Sequence, residues 1–211
     1  MKKQVLILSG PTHEYIDPVR FIGNASSGKM GKALAEEALK RNYTVEIITG
    51  PVESQNLPNI GKNQIHKITS AKDMLVQALE LFSRADIIIF AAAVADYSPK
   101  ETKNKKMGKS KDELTLTLVP TPDIAQTLGE KKLSHQITLG FALQTHNGEQ
   151  NAQRKLCTKK FDAIVLNDPR SLGASDGTFS CLTAQDNQFI HWGTLSKETC
   201  AKNIFDCLKT L

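Results

Sequence analysis

Val5-Leu6-Ile7-Leu8 is an unbroken apolar run closed by Ser9 and Gly10. A run without polar alternation predicts a strand covered on both faces. Over residues 27–41 the period changes. Met30, Ala33, Leu34 and Ala38 recur at helical spacing, with Ser26 or Ser27 placed to cap the helix. Residues 44–49 are rich in β-branched side chains and stop at Gly50-Pro51. Ser70-Ala71-Lys72-Asp73 predicts a capping box with Asp in the Glu position. It opens a helix whose Met74, Leu75, Ala78, Leu79 and Phe82 share a face. Residues 86–93, 137–141 and 163–166 predict further buried strands, with a helix ending over 154–160 before the last of them. Residues 178–184 and 189–192 flank Gln185-Asp186-Asn187, which predicts an antiparallel hairpin at the sheet edge or at an oligomer contact. A closing amphipathic helix runs through Cys200, Ile204, Leu208 and Leu211. Strands alternating with helices predict an α/β, doubly wound parallel sheet in one domain, residues 1–211.

Composition narrows the classes. The chain is 40% hydrophobic and 23% charged, with a mean hydropathy of −0.29, as expected of an ordinary soluble globular protein rather than a disordered one. No apolar stretch is long enough for a membrane span, so a cytoplasmic protein is expected. Cys157, Cys181, Cys200 and Cys207 form no C-x-x-C pair and predict reduced thiols. Basic residues outnumber acidic ones 27 to 22. Part of the excess is Lys100, Lys103, Lys105, Lys106, Lys109 and Lys111, against Glu101 alone. Such a run is a solvated loop or an anion-binding one. Aromatics make up 6% and do not interleave with it, so nucleic acid is not the expected partner.

In an open parallel sheet, ligands bind beyond the carboxyl ends of the strands. The first strand is followed by a connection of about 17 residues, far beyond the usual two to six. It lacks G-x-G-x-x-G, which weakens a dinucleotide-dependent oxidoreductase as the rival reading. Gly23-Asn24-Ala25-Ser26-Ser27-Gly28-Lys29 fits the first seven positions of a P-loop, but Met30 stands where the Mg²⁺-binding hydroxyl belongs. A helix start built from Ser26, Ser27, Gly28 and Lys29 still favours a phosphate or carboxylate, with plain capping as the alternative. In Ala92-Ala93-Val94-Ala95-Asp96-Tyr97, small residues admit a flat ligand, and Asp96 suits a ribose hydroxyl or a metal. Lys103, Lys105 and Lys106 follow, suited to stabilising charge in phosphoryl or nucleotidyl transfer. Arg20 either binds a phosphate or pairs with Asp17, and the pairing is favoured. Asn167-Asp168-Pro169 is a ligand contact or a turn. No histidine is assigned a catalytic role.

Gly10-Pro11-Thr12, Asp17-Pro18-Val19-Arg20, residues 24–31 and residues 92–97 together resemble the phosphopantothenoylcysteine synthetases of coenzyme A biosynthesis. Lys103-Asn104-Lys105-Lys106 is similar to the family's K-x-K-K loop. Pro122-Asp123-Ile124, Gly140-Phe141-Ala142 and Asn167-Asp168 follow in order. The resemblance implies a Rossmann-like fold and a homodimer built partly through late strands. It implies ligation of 4′-phosphopantothenate to L-cysteine through an acyl-nucleotidylate, with pyrophosphate and then nucleoside monophosphate released. Mg²⁺ assists, and the nucleotide is CTP in bacteria and typically ATP in eukaryotes. A phosphopantothenoylcysteine decarboxylase, fused in many bacteria, is the implied separate partner.

The same resemblance implies that Lys103 supports formation of the acyl-nucleotidylate and that Asn24 handles it for amide formation. Asp96 would face the nucleotide, and Ser26, Ser27, Gly28 and Lys29 would hold anionic groups. Phe141 and Ala142 would line the base pocket, and Lys159 or Lys160 would be the basic residue that the family places before its Asn-Asp. Gly10, Thr12, Ala93, Lys105, Lys106, Pro122, Asp123, Ile124 and Asn167 complete the implied binding set; metal ligands are not identified. Gln144 stands where the family has Glu, residues 96–103 are shorter than the bacterial pattern, and Asp176-Gly177-Thr178-Phe179 lacks an expected Asn. These departures bear on nucleotide choice.

Overall fold

The computed structural model describes residues 2–109, 113–143, 146–171 and 173–211. In chain order the elements are β1 (Gln4–Ser9), the short β2 (His13–Tyr15) and β3 (Phe21–Gly23), α1 (Lys29–Lys40), β4 (Thr44–Thr49) and β5 (Ile65–Lys67). Then come α2 (Ala71–Phe82), β6 (Ile87–Phe90), the short β7 (Tyr97–Pro99) and β8 (Leu118–Pro120), α3 (Ile124–Glu130) and β9 (Ile137–Leu143). The chain continues with α4 (Gly148–Thr158), β10 (Ala163–Asn167), β11 (Asp176–Thr183), β12 (Phe189–Ser196) and α5 (Lys197–Cys207).

Eight strands form one sheet in the order β12-β11-β10-β9-β6-β1-β4-β5. From β5 to β10 every pairing is parallel, and β11 and β12 add antiparallel at the edge. The closing hairpin thus lies where the turn signal put it. From β1 the chain first winds outward through β4 and β5, then returns to β6 on the other side of β1. The winding direction reverses between β1 and β6, and a crevice opens beyond the strand ends there.

Alternation along β1 explains the layers. Val5 and Ile7 pack beneath α1 and α5, while Leu6 and Leu8 pack beneath α2 and α3. Ala142, Ile164 and Leu182 continue that second face under α4. A full set of buried apolar side chains on both faces, each stabilising by about 1.5–3 kcal/mol on burial, accounts for the uninterrupted apolar runs.

Two local expectations are corrected. Neither Ser26 nor Ser27 caps α1; Gly28 does, at φ 75°, with no side-chain hydrogen bond to the first turn. A Cβ on Gly28 would lie 2.8 Å from Val52 Cγ1, so contact with a distant segment selects glycine there. In α2 the capping box forms as expected, Ser70 and Asp73 exchanging hydrogen bonds. The buried face, however, uses Leu81 and leaves Leu79 exposed. The long first connection is also not structureless: β2 and β3 pair within it as an antiparallel hairpin.

Candidate active site

The crevice at the reversal point widens into a cavity of about 870 Å³. Three strand ends build it. After β1, the N–H of Ala93 donates to the Gly10 carbonyl at 2.9 Å, and Thr12 Oγ1 accepts from the Ala95 N–H at 2.9 Å. These bonds lock residues 91–96 against the first connection. Asn24 adds a third tie, its Nδ2 donating to the Val94 carbonyl at 2.8 Å. The α1 start lies opposite. Gly31 lets it approach closely, since a Cβ there would lie 1.9 Å from Ser9 Oγ. Uncapped N–H groups of the first turn and the positive end of the α1 dipole therefore face the cavity.

Most sequence-predicted residues meet here. Asn24, Ser26, Ser27, Gly28 and Lys29 line one wall. Ala93, Asp96, Pro122, Asp123, Ile124, Phe141, Lys159 and Asn167 line the others. The Asp96 side chain is exposed, and among the described residues its carboxylate takes no hydrogen bond or ion pair. Asp123 caps α3, accepting from the Gln126 N–H at 2.9 Å, and pairs with Lys159 Nζ. Partial burial pulls its carboxyl upward, but Lys159 and the Gln126 N–H outweigh this and hold it below the usual range.

Others fall elsewhere. Gly10 and Thr12 brace the floor without lining it. Ala142 is buried among Ala152, Leu156 and Phe161, because strand alternation turns it away from the wall that Phe141 faces. Of Lys159 and Lys160, only the first lines the cavity; Lys160 is exposed, at φ 54°, and outside it. Lys103, Lys105 and Lys106 are also exposed and outside it, with Lys103 Nζ 3.1 Å from Glu101 Oε2. Lys111, Gln144 and Thr145 lie outside the described residues. Arg20 pairs with Asp17, as favoured.

Two cavity lysines escaped the sequence reading. Lys155, half-buried on α4, donates from Nζ to the Phe141 carbonyl at 2.8 Å. Desolvation, helped by Lys159, lowers its pKa against the opposing pull of Asp123 and Asp96. Lys197 is buried at the start of α5 and donates to the carbonyls of Ser171 (3.1 Å) and Ala174. Burial, then Lys29, lowers its pKa too. Lys155 and Lys159 are i and i+4 on one helix face, a spacing signal that was present but gained meaning only from packing. Asn167 donates to Ser171 Oγ at 2.9 Å, while its Oδ1 is buried without a partner.

The strand order and the cavity at its reversal point define a Rossmann-like α/β protein. Over residues 1–211 the chain belongs to the family described as the DNA/pantothenate metabolism flavoprotein C-terminal domain. It is 46% identical over 175 residues to the coenzyme A biosynthesis bifunctional protein CoaBC of Bacillus subtilis (strain 168), covering 83% of this chain and 42% of that protein. The chain spans less than half the length of the curated relatives it matches. The solved C-terminal domain of a CoaBC superposes with a TM-score of 0.82 at 35% identity, covering 99% of this chain and 94% of that one. The DNA/pantothenate metabolism flavoprotein from Streptococcus pneumoniae gives 0.81 at 26% identity, covering 99% of each. Among the described residues no helix is long and apolar enough to cross a membrane.

Proposed function

We propose that this chain is a phosphopantothenate–cysteine ligase. It joins 4′-phosphopantothenate to L-cysteine at the expense of CTP, with ATP as the alternative nucleotide. The observation that carries the reading is the cavity itself. It sets a helix N-terminus on one side and Lys155 with Lys159 on the other, a shape that suits a ligand with separated anionic groups. Family membership and the ordered motifs support the same reading.

In the first half-reaction a carboxylate oxygen of 4′-phosphopantothenate attacks the α-phosphorus, and pyrophosphate leaves. Ser26, Ser27, Gly28 and Lys29 hold phosphates at the α1 start, and Lys155 and Lys159 add charge-assisted donors. Lys103, brought in from its exposed position, stabilises charge developing on the triphosphate. In the second half-reaction the cysteine nitrogen attacks the acyl carbon, nucleoside monophosphate leaves and the nitrogen gives up its proton. Asn24 orients the acyl-nucleotidylate for this step, and Asn167 contributes to the cavity wall that holds it. Ala93, Pro122, Ile124 and Phe141 shape the pocket for the base.

Mg²⁺ fits as an ion carried by the nucleotide. Among the described residues no cluster of three or more metal-binding side chains occurs, and an ion held by phosphates needs only one or two carboxylates. Asp96 would supply that carboxylate, and bound Mg²⁺ would offset triphosphate charge. A homodimer and a separate decarboxylase belong to the reading as well. Exposed Tyr15, Phe21 and Tyr97 on the two small hairpins offer an apolar contact surface for the dimer.

Pyrophosphate release tests the reading, measured with 4′-phosphopantothenate and Mg²⁺, with and without L-cysteine, for CTP and for ATP. Turnover dependent on cysteine is expected. Silence with both nucleotides from folded protein would remove the ligase.

A further inference from the structure

The Asp17 carboxylate is wholly buried in the first connection and collects five hydrogen bonds from three residues. Oδ1 accepts from the N–H groups of Val19 and Arg20, each at 2.9 Å. Oδ2 accepts from Arg20 Nε at 3.0 Å, from Arg20 Nη2 at 2.5 Å, and from the Met107 N–H at 3.1 Å. The same Nη2 donates to the Met107 carbonyl at 2.7 Å. Both main-chain polar groups of Met107 are thus held by one ion pair, 90 residues away in sequence.

The other end of the segment is tied to the same connection. The Lys103 N–H donates to the Ile16 carbonyl at 2.9 Å, and Thr102 Oγ1 donates to the Tyr15 carbonyl at 3.1 Å. Lys103 stands at the first of these anchors and Lys105 and Lys106 lie between the two, all three exposed. A run of like charges in an irregular stretch would ordinarily be solvated and spread over many conformations. Here its ends are fixed to the first connection, which runs on through β3 to Asn24 in the cavity wall.

We infer that Asp17 is a positioning residue. With Arg20 it clasps Met107 and holds the lysine-bearing segment 103–107 against the first connection that leads to Asn24, so that ordering the segment is not left to the reaction step. The clasp is read from contacts alone; its consequence for rate rests on the ligase reading above.

Two variants test it against the wild type. Asp17→Asn removes the charge, and Met107→Pro deletes the N–H that Asp17 accepts while leaving the ion pair. Trypsin cleavage after Lys103 is expected to accelerate about tenfold in both, relative to cleavage after Lys109. Single-turnover formation of acyl-nucleotidylate is expected to slow about tenfold, while amide formation from preformed intermediate keeps its rate. Unchanged cleavage in both variants would overturn the clasp. Equal losses in both half-reactions with a lowered Tm would reduce Asp17 to a structural role and overturn the positioning. A folded but inactive wild type would remove the ligase reading alone, because the protease rates report the clasp without substrate.

Discussion

Two sets of lysines behave differently. Lys103, Lys105 and Lys106 stand in a conspicuous charge run, and their side chains are exposed outside the cavity. Lys155, Lys159 and Lys197 are scattered through unremarkable helical sequence and line the cavity. Lys155 and Lys197 are desolvated enough to lower their pKa. Charge density along a chain finds cations that water can reach. Cations that meet a ligand in a partly dry wall are chosen by packing, where each interaction is worth more. On the proposed ligase reading, the exposed set would act on rate and the cavity set on ground-state binding.

The largest expected effect breaks the comparison on the exposed side. Lys103→Gln should slow acyl-nucleotidylate formation about 100- to 1,000-fold, as loss of one transition-state donor does. Asn24→Asp should allow that intermediate to form but stall amide formation. Mass spectrometry of the trapped intermediate distinguishes the two, and identical behaviour would sink both assignments.

On the cavity side, Lys155→Met should weaken nucleotide binding about 10- to 100-fold through loss of a charge-assisted hydrogen bond. Stability should change less there, because the variant also removes a desolvated charge. The sign follows from linkage. A lysine with a lowered folded pKa binds fewer protons when folded than when unfolded, so its contribution to stability rises with pH. The rise spans the window between the lowered value and the ordinary 10.5. Urea unfolding of wild type across that alkaline window should show it, and Lys155→Met should flatten it.

A smaller effect concerns the clasp. Burial pushes the Asp17 carboxyl upward, but Arg20 and the three main-chain N–H groups outweigh it and hold the group well below its ordinary 3.8. Its stabilisation is complete above the ordinary value and is lost as pH falls toward the lowered one. Asp17→Asn should therefore be less stable than wild type near neutrality, with the two acid-unfolding curves converging at low pH. Parallel curves would contradict that role for the charge.

The parts of the molecule legible in its sequence are those governed by local rules. β1 and β4 follow from apolar and β-branched runs, the α2 start from Ser70 and Asp73, and the edge hairpin from its turn residues. The motif residues from Asn24 to Lys29 and around Asp96 do reach one cavity. What stayed hidden depends on contacts between distant segments. Gly28 caps α1 at positive φ, with Val52 close enough to crowd any side chain there. Lys155 and Lys197 gain their chemistry from burial, which no spacing rule states.

The contrast between the two lysine sets is tested most directly by calorimetric titration of Mg²⁺–CTP into wild type, Lys155→Met and Lys103→Gln. Lys155→Met is expected to lose about tenfold or more in Kd. Lys103→Gln is expected to stay within about fivefold, as an exposed charge should. Wild-type affinity in Lys155→Met together with lost binding in Lys103→Gln would contradict the account, placing the nucleotide's ground-state contacts on the exposed segment instead of the cavity wall.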